Sequence, residues 1–148
     1  MPKLKHVVVV ALLLLMGLSG TAVAEKSKNI GDFVVHYNAL GTEFLTPETA
    51  RAYGITRSGN RAMVTISVVK GNMGVTIQPV KAQISIRATN LNQQVKPMEV
   101  REIVDQGAIY YIADFKFADG ETVDFDVEVV PEGGPRGNIQ FRQQFFVD

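Results

Sequence analysis

The chain contains no cysteine and no tryptophan, and only two of its 148 residues are histidine. Without cysteine there is no disulfide framework, no thiolate metal site, no cysteine nucleophile and no thiol redox couple. His6 lies in an N-terminal leader, so His36 is the sole imidazole of the remainder. A zinc site needs several ligands close together, and one histidine without cysteine does not supply them. An excess of either charge is also missing: 15 Lys and Arg balance 15 Asp and Glu. A nucleic-acid or anionic-membrane partner calls for a basic stripe, and none is visible. The apolar run at residues 7–18 would rise about 18 Å as a helix, too short to cross a ~30 Å hydrocarbon core.

That run is nevertheless informative. Lys3 and Lys5 precede it, and Ala22-Val23-Ala24 follows it with small residues. This is the pattern of a secretory signal peptide, with cleavage expected after Ala24. No cysteine stands at the cleavage point to take a lipid, so no membrane anchor is expected once the leader leaves. Residues 1–24 are then a signal peptide and residues 25–148 one domain of 124 residues with a net charge near −2. A domain of that length buries about two-thirds of the surface its unfolded chain would expose. Its core has to hold it together without cross-links.

The mature chain reads as strands. Glu25 to Ile30 is polar and expected to fray. Phe33, Val35 and Tyr37 alternate with Val34, His36 and Asn38 in a strand from about Asp32 to Leu40. A second strand, Arg61 to Lys70, sets Ala62, Val64, Ile66 and Val68 on one face. Gly71-Asn72-Met73-Gly74 reads as a hairpin-type turn. The run Val75 to Thr89 carries Pro79 at a bulge or break and buries Ala82, Ile84, Ile86 and Ala88. Met98 to Val104 is a further strand. Ala108 to Phe117 follows, joined by an Asp119-Gly120 hairpin signal to Glu121 to Val130. After a Pro/Gly loop, Asn138 to Val147 is the last. About seven strands with turns every 8–12 residues predict a two-sheet antiparallel sandwich, with a small closed barrel as the runner-up.

One stretch differs. Thr46 is a plausible N-cap, Pro47 suits the first helical position, Glu48 suits the helix dipole, and Gly54 can end a helix. This predicts one short helix, Pro47 to Tyr53, about two turns long. Two turns do not persist alone in water, so the helix is expected to plug onto the sheets as a lid over one end of the core.

Candidate site residues gather around that helix: His36, Tyr37, Asn38, Arg51, Tyr53, Arg57 and Arg61. His36 is read first as a hydrogen-bonded structural residue, then as a ligand or metal contact, and last as a catalyst. A catalytic triad needs a nucleophile and an orienting acid, and neither Ser58 nor Ser67 sits in a nucleophile elbow. The three arginines are read first as surface partners of Glu43 and Glu48, and second as a grip for an anion or carboxylate. Asp124, Asp126 and Glu128 form an acidic stripe along one strand. Calcium prefers a loop that wraps it, so the stripe is read as a solvated face. No metal and no cofactor is expected.

Several motifs carry a resemblance. HYNA at 36–39, FLTPE at 44–48, AYGITRS at 52–58 and NRA at 60–62 resemble a family of small exported Gram-negative proteins. So do VREIVDQGAIYYIADF at 100–115 and FDVEVVPEGG at 125–134. The family is known only as a domain of unknown function, the 4426 family. The resemblance implies an all-β, immunoglobulin-like sandwich and export, and no catalytic residue. An antibody domain's cysteine pair and core tryptophan are absent, so the likeness is architectural.

The expected function is a periplasmic accessory or interaction module that binds a protein or small ligand without catalysis. A carrier for a small anion or carboxylate is the alternative, and a hydrolase of unknown type ranks last.

Overall fold

The computed structural model describes residues 26–71 and 77–147. The expected leader with its Ala24 cleavage point, and most of the turn after Gly71, lie outside those residues. The strands are β1 (Lys26–Ile30), β2 (Phe33–Gly41), β3 (Arg61–Lys70), β4 (Gln78–Pro79), β5 (Ala82–Asn90), β6 (Val95–Lys96), β7 (Arg101–Asp105), β8 (Ala108–Lys116), β9 (Glu121–Pro131) and β10 (Gly137–Phe145). One sheet runs β1-β2-β3-β8-β7, with β4 on the end of β3, and the other runs β10-β9-β5-β6. The pairings within both are antiparallel. The protein is an all-β two-sheet sandwich, as the alternation predicts, and not a barrel.

Period-2 patterning decides the packing. Val35, Val64, Ile66 and Val68 from the first sheet meet Val123, Phe125, Val127, Val129 and Ile139 from the second, all fully buried. Phe125 anchors the interface. Its ring stacks on Phe141 with centroids 4.6 Å apart and meets Phe115 edge-on at 5.6 Å. Offset and edge-on pairs add about 0.5–1.5 kcal/mol each beyond the area they bury.

Four local expectations need correction. Of the stretch expected to fray, Lys26 to Ile30 is a strand: β1 pairs with β2 from Lys26↔Tyr37 to Ile30↔Phe33. Its polar residues are exposed because the strand lies at the sheet edge, where Lys also discourages unwanted pairing. Ile30 is buried against Gly137, where a side chain would collide: an added Cβ would lie 2.1 Å from its Cδ1. The run around Pro79 is two strands in different sheets, β4 on β3 and β5 on β9. The strand expected at Met98 begins at Arg101, because residues 97–100 cross from β6 in the second sheet to β7 in the first. Asp119-Gly120 does turn, with Gly120 at φ +77°, but it links β8 to β9 across the sandwich and closes no hairpin.

The helix α1 occupies Pro47–Tyr53, as predicted. Thr46 Oγ1 accepts the Thr49 N–H at 3.2 Å. Gly54 closes the helix at φ +67°, and the Gly54 and Ile55 amides donate to the Arg51 and Ala50 carbonyls in a Schellman pattern. Its position differs from expectation. It does not cap an end of the core but lies on the outer face of the first sheet, over Met63 and Ile112. Those two and Ile55 are buried there, with Leu40, Leu45, Tyr53, Ile103 and Tyr110 packed around them. Each fully buried side chain contributes about 1.5–3 kcal/mol, enough to hold two turns that would melt alone. Met63 and Ile112 fall on the polar phase of their strands, so alternation alone assigns them to solvent.

Candidate functional site

Two regions of the surface are candidates for a site. The first is a polar notch of about 250 Å³ on the outer face of the first sheet, lined by His36, Tyr37, Asn38, Thr65, Ser67 and Tyr110. Strand register makes it: His36 stands opposite Ser67, and Asn38 opposite Thr65. Tyr37 turns its ring to the core, 5.0 Å from Phe141, so it lends the notch main chain. Asn38 Oδ1 accepts the Ala39 amide at 2.9 Å. His36 and Ser67 thus face one another, yet among the described residues no carboxylate lines the notch to orient the imidazole as a triad requires.

The second region is one end of the sandwich. β2 and its following 3-10 turn (Thr42–Phe44) leave here, and β3 enters. β8 ends and β9 begins here too, and at this level β5 and β10 terminate and β6 begins. Gln143 Nε2 donates to the Ala39 carbonyl at 3.0 Å, so β10 and β2 exit side by side. Phe44 (70% exposed), Leu91 (58%), Val95 (53%), Phe146 (60%) and Val147 (40%) therefore share this end. A cleft of about 970 Å³ opens beside Val95 and Val147, walled also by Arg61, Lys96, Phe117 and Asp119.

Its charged residues are largely spent. Lys96 Nζ lies 2.5 Å from Glu121 Oε1, and both side chains are mostly buried. Glu121 also accepts from Asn90 Nδ2 at 2.9 Å and the Ala118 amide at 3.2 Å. Burial pushes the Glu121 carboxyl up, but the Lys96, Asn90 and Ala118 hydrogen bonds and the Lys96 charge outweigh it and hold it below its ordinary value. Arg61 grips Asp114 Oδ2 through Nε at 3.1 Å and Nη2 at 2.5 Å.

The seven predicted residues therefore divide. His36, Tyr37 and Asn38 line the notch, and Arg61 walls the cleft. Arg57 Nη2 donates to the Glu43 carbonyl at 3.2 Å, Arg51 is exposed in the last helical turn, and Tyr53 OH reaches Asp105 Oδ2 at 3.5 Å. Burial, then the Asp105 charge beside it, raises the Tyr53 hydroxyl's pKa. The arginines do not converge. The expected Arg pairs with the Glu43 and Glu48 carboxylates do not form among the described residues; Asp114 takes Arg61 instead. Thr65, Ser67 and Tyr110 were the missing half of the notch. Cross-strand register brings them in, and no local motif marks them. The acidic stripe is partly paired: Asp124 meets Arg142 at 2.6 Å and Glu128 meets Arg136 at 3.5 Å, while Asp126 accepts from the Asn138 and Gln140 amides. Among the described residues no group of three His, Cys, Asp or Glu side chains is placed to hold a metal ion, and no helix is long and apolar enough to cross a membrane.

Fold and surface define a small all-β sandwich domain with an apolar loop end. Residues 27–148 match a domain of unknown function, DUF4426, and the chain belongs to that family. It is similar to the crystal structure of a DUF4426 family protein from Pseudomonas aeruginosa PAO1, at 32% identity and a TM-score of 0.72. The similarity covers 84% of this chain and 96% of that one. Among curated proteins nothing matches the chain.

Proposed function

We propose that this protein is an exported, non-catalytic interaction module that works in the periplasm and docks a polypeptide partner on the apolar end of the sandwich. The observation that carries the reading is the gathering of Phe44, Leu91, Val95, Phe146 and Val147 at that end, each 40–70% exposed. Monomeric proteins expose apolar side chains singly, and contiguous patches mark contact surfaces. The patch spreads wider than the cleft. A small ligand seated among Arg61, Lys96 and Val147 would leave Phe44, Leu91 and Phe146 in water, whereas a protein surface would cover them all. Arg61 and Lys96 already face Asp114 and Glu121, so the partner is expected to present an apolar surface of low charge. The same pairing weakens the alternative of a carrier for a small anion or carboxylate. Export is supported by the basic-apolar-small pattern of residues 1–24.

The test places a photoreactive phenylalanine at position 146 of the full chain in its own host, with position 126 on the outer face of the second sheet as control. The expected result is one discrete cross-linked polypeptide from position 146, absent from position 126 and lost on adding Val95→Asp. Equal cross-linking from both positions, or none from either, would overturn the proposal.

A further inference from the structure

We propose that the notch on the outer face of the first sheet binds a small neutral polyhydroxyl ligand, a single sugar ring or a polyol of that size. This rests on a different surface from the docking end and is independent of it. The positions involved belong to strands inside the sheet, and the residues point away from the core. Side chains there commonly stand clear in water. Here His36, Asn38, Thr65, Ser67 and Tyr110 are all half-buried, and Tyr110 is packed into the cluster beneath the helix.

The chemistry of the lining selects the ligand. Thr65, Ser67 and Tyr110 each bring a hydroxyl to this lining. Asn38 has committed its Oδ1 to the Ala39 amide, which leaves its NH2 as a donor. A hydroxyl both donates and accepts, so three of them beside an amide NH2 match the alternating donors and acceptors of a polyol. Among the described residues no Asp, Glu, Lys or Arg lines the notch, so a carboxylate, phosphate or ammonium ligand would find no carboxylate, ammonium or guanidinium partner there, a costly state in a half-enclosed site. The Tyr110 ring supplies an apolar wall for the C–H face of a sugar. At about 250 Å³ the notch falls below the ~300–1,000 Å³ of drug-sized sites, which fits one ring.

The test is saturation-transfer and amide-shift NMR on the mature protein. The probes are glucose, galactose, N-acetylglucosamine and myo-inositol, with citrate and glycerol 3-phosphate as charged controls. At least one neutral probe should bind and shift amides within 36–38, 65–67 and 109–111. Ser67→Val should weaken that binding about tenfold, as expected when one hydrogen bond is left unmade. Thr65→Val, a smaller change in shape, gives a second readout if Ser67→Val disturbs the strand. Asp126→Asn on the other sheet should change nothing. The proposal is overturned if no neutral probe binds, if a charged control binds better, if the shifted amides lie elsewhere, or if neither valine variant weakens binding.

Discussion

Glu121 is the residue on which the open end of the sandwich should depend most. Its carboxylate joins three segments at once: Lys96 on β6, Asn90 at the end of β5, and the Ala118 amide in the turn before β9. β6 otherwise pairs with β5 only at Ala88↔Lys96 and Thr89↔Val95. Glu121→Ala would leave the Lys96 ammonium without its acid in a mostly buried setting and strip partners from Asn90 and Ala118. Breaking a buried pair from one side costs about 3–5 kcal/mol. Lys96 keeps its bond to the Lys116 carbonyl at 3.2 Å and some access to water, so a smaller loss, about 2–3 kcal/mol, is expected. The double variant Lys96→Met/Glu121→Leu removes both charges and should recover most of that loss. The pH dependence has a definite sign. Glu121 titrates lower in the folded protein than its ordinary 4.5, so its contribution is present above that value and is lost as pH falls through the folded value. Urea unfolding of the three proteins at neutral and acidic pH measures all of this. A Glu121→Ala loss under about 1 kcal/mol, or a double variant no more stable than the single, would refute the reasoning.

The remaining predictions concern the core, the helix and the loop end. Phe125→Ala should cost about 3–5 kcal/mol in urea unfolding, since the ring contacts Phe115, Phe141 and Phe145 at the centre of the sandwich. Thr46→Ala removes the helix N-cap and should cost about 1 kcal/mol. Gly54→Ala, at φ +67° and with Arg101 Nη1 2.9 Å from the added Cβ, should cost about 1–2 kcal/mol by the same denaturation assay. Phe44→Ser/Phe146→Ser should alter stability by less than about 1 kcal/mol, because exposed side chains contribute little to folding, while removing partner cross-linking.

Much of this architecture is written in local pattern. Val64, Ile66 and Val68, or Val123, Phe125 and Val127, announce their buried face by strict alternation, and Thr46, Pro47 and Gly54 announce both helix ends. What could not be read locally is which strand meets which. Asp119-Gly120 has hairpin chemistry, yet the chain continues into the other sheet, because turn residues fix a reversal and not the partner strand. Met63 and Ile112 look solvent-facing until the helix is laid across them. The candidate site behaves the same way. His36 and Asn38 stand out in the sequence, but Thr65, Ser67 and Tyr110 join them only through register across three strands. Arg51, Arg57 and Arg61 are close in sequence and diverge in space, because the helix and its following turn send each to a different neighbour.

The reading of the sandwich end as a docking surface is tested most directly by native mass spectrometry of the mature protein purified gently from its own host's periplasm. The wild type should carry a second polypeptide at defined stoichiometry, and the Phe44→Ser/Phe146→Ser variant, equally folded, should appear bare. A wild type that flies alone, or a variant that keeps the same partner, would contradict it.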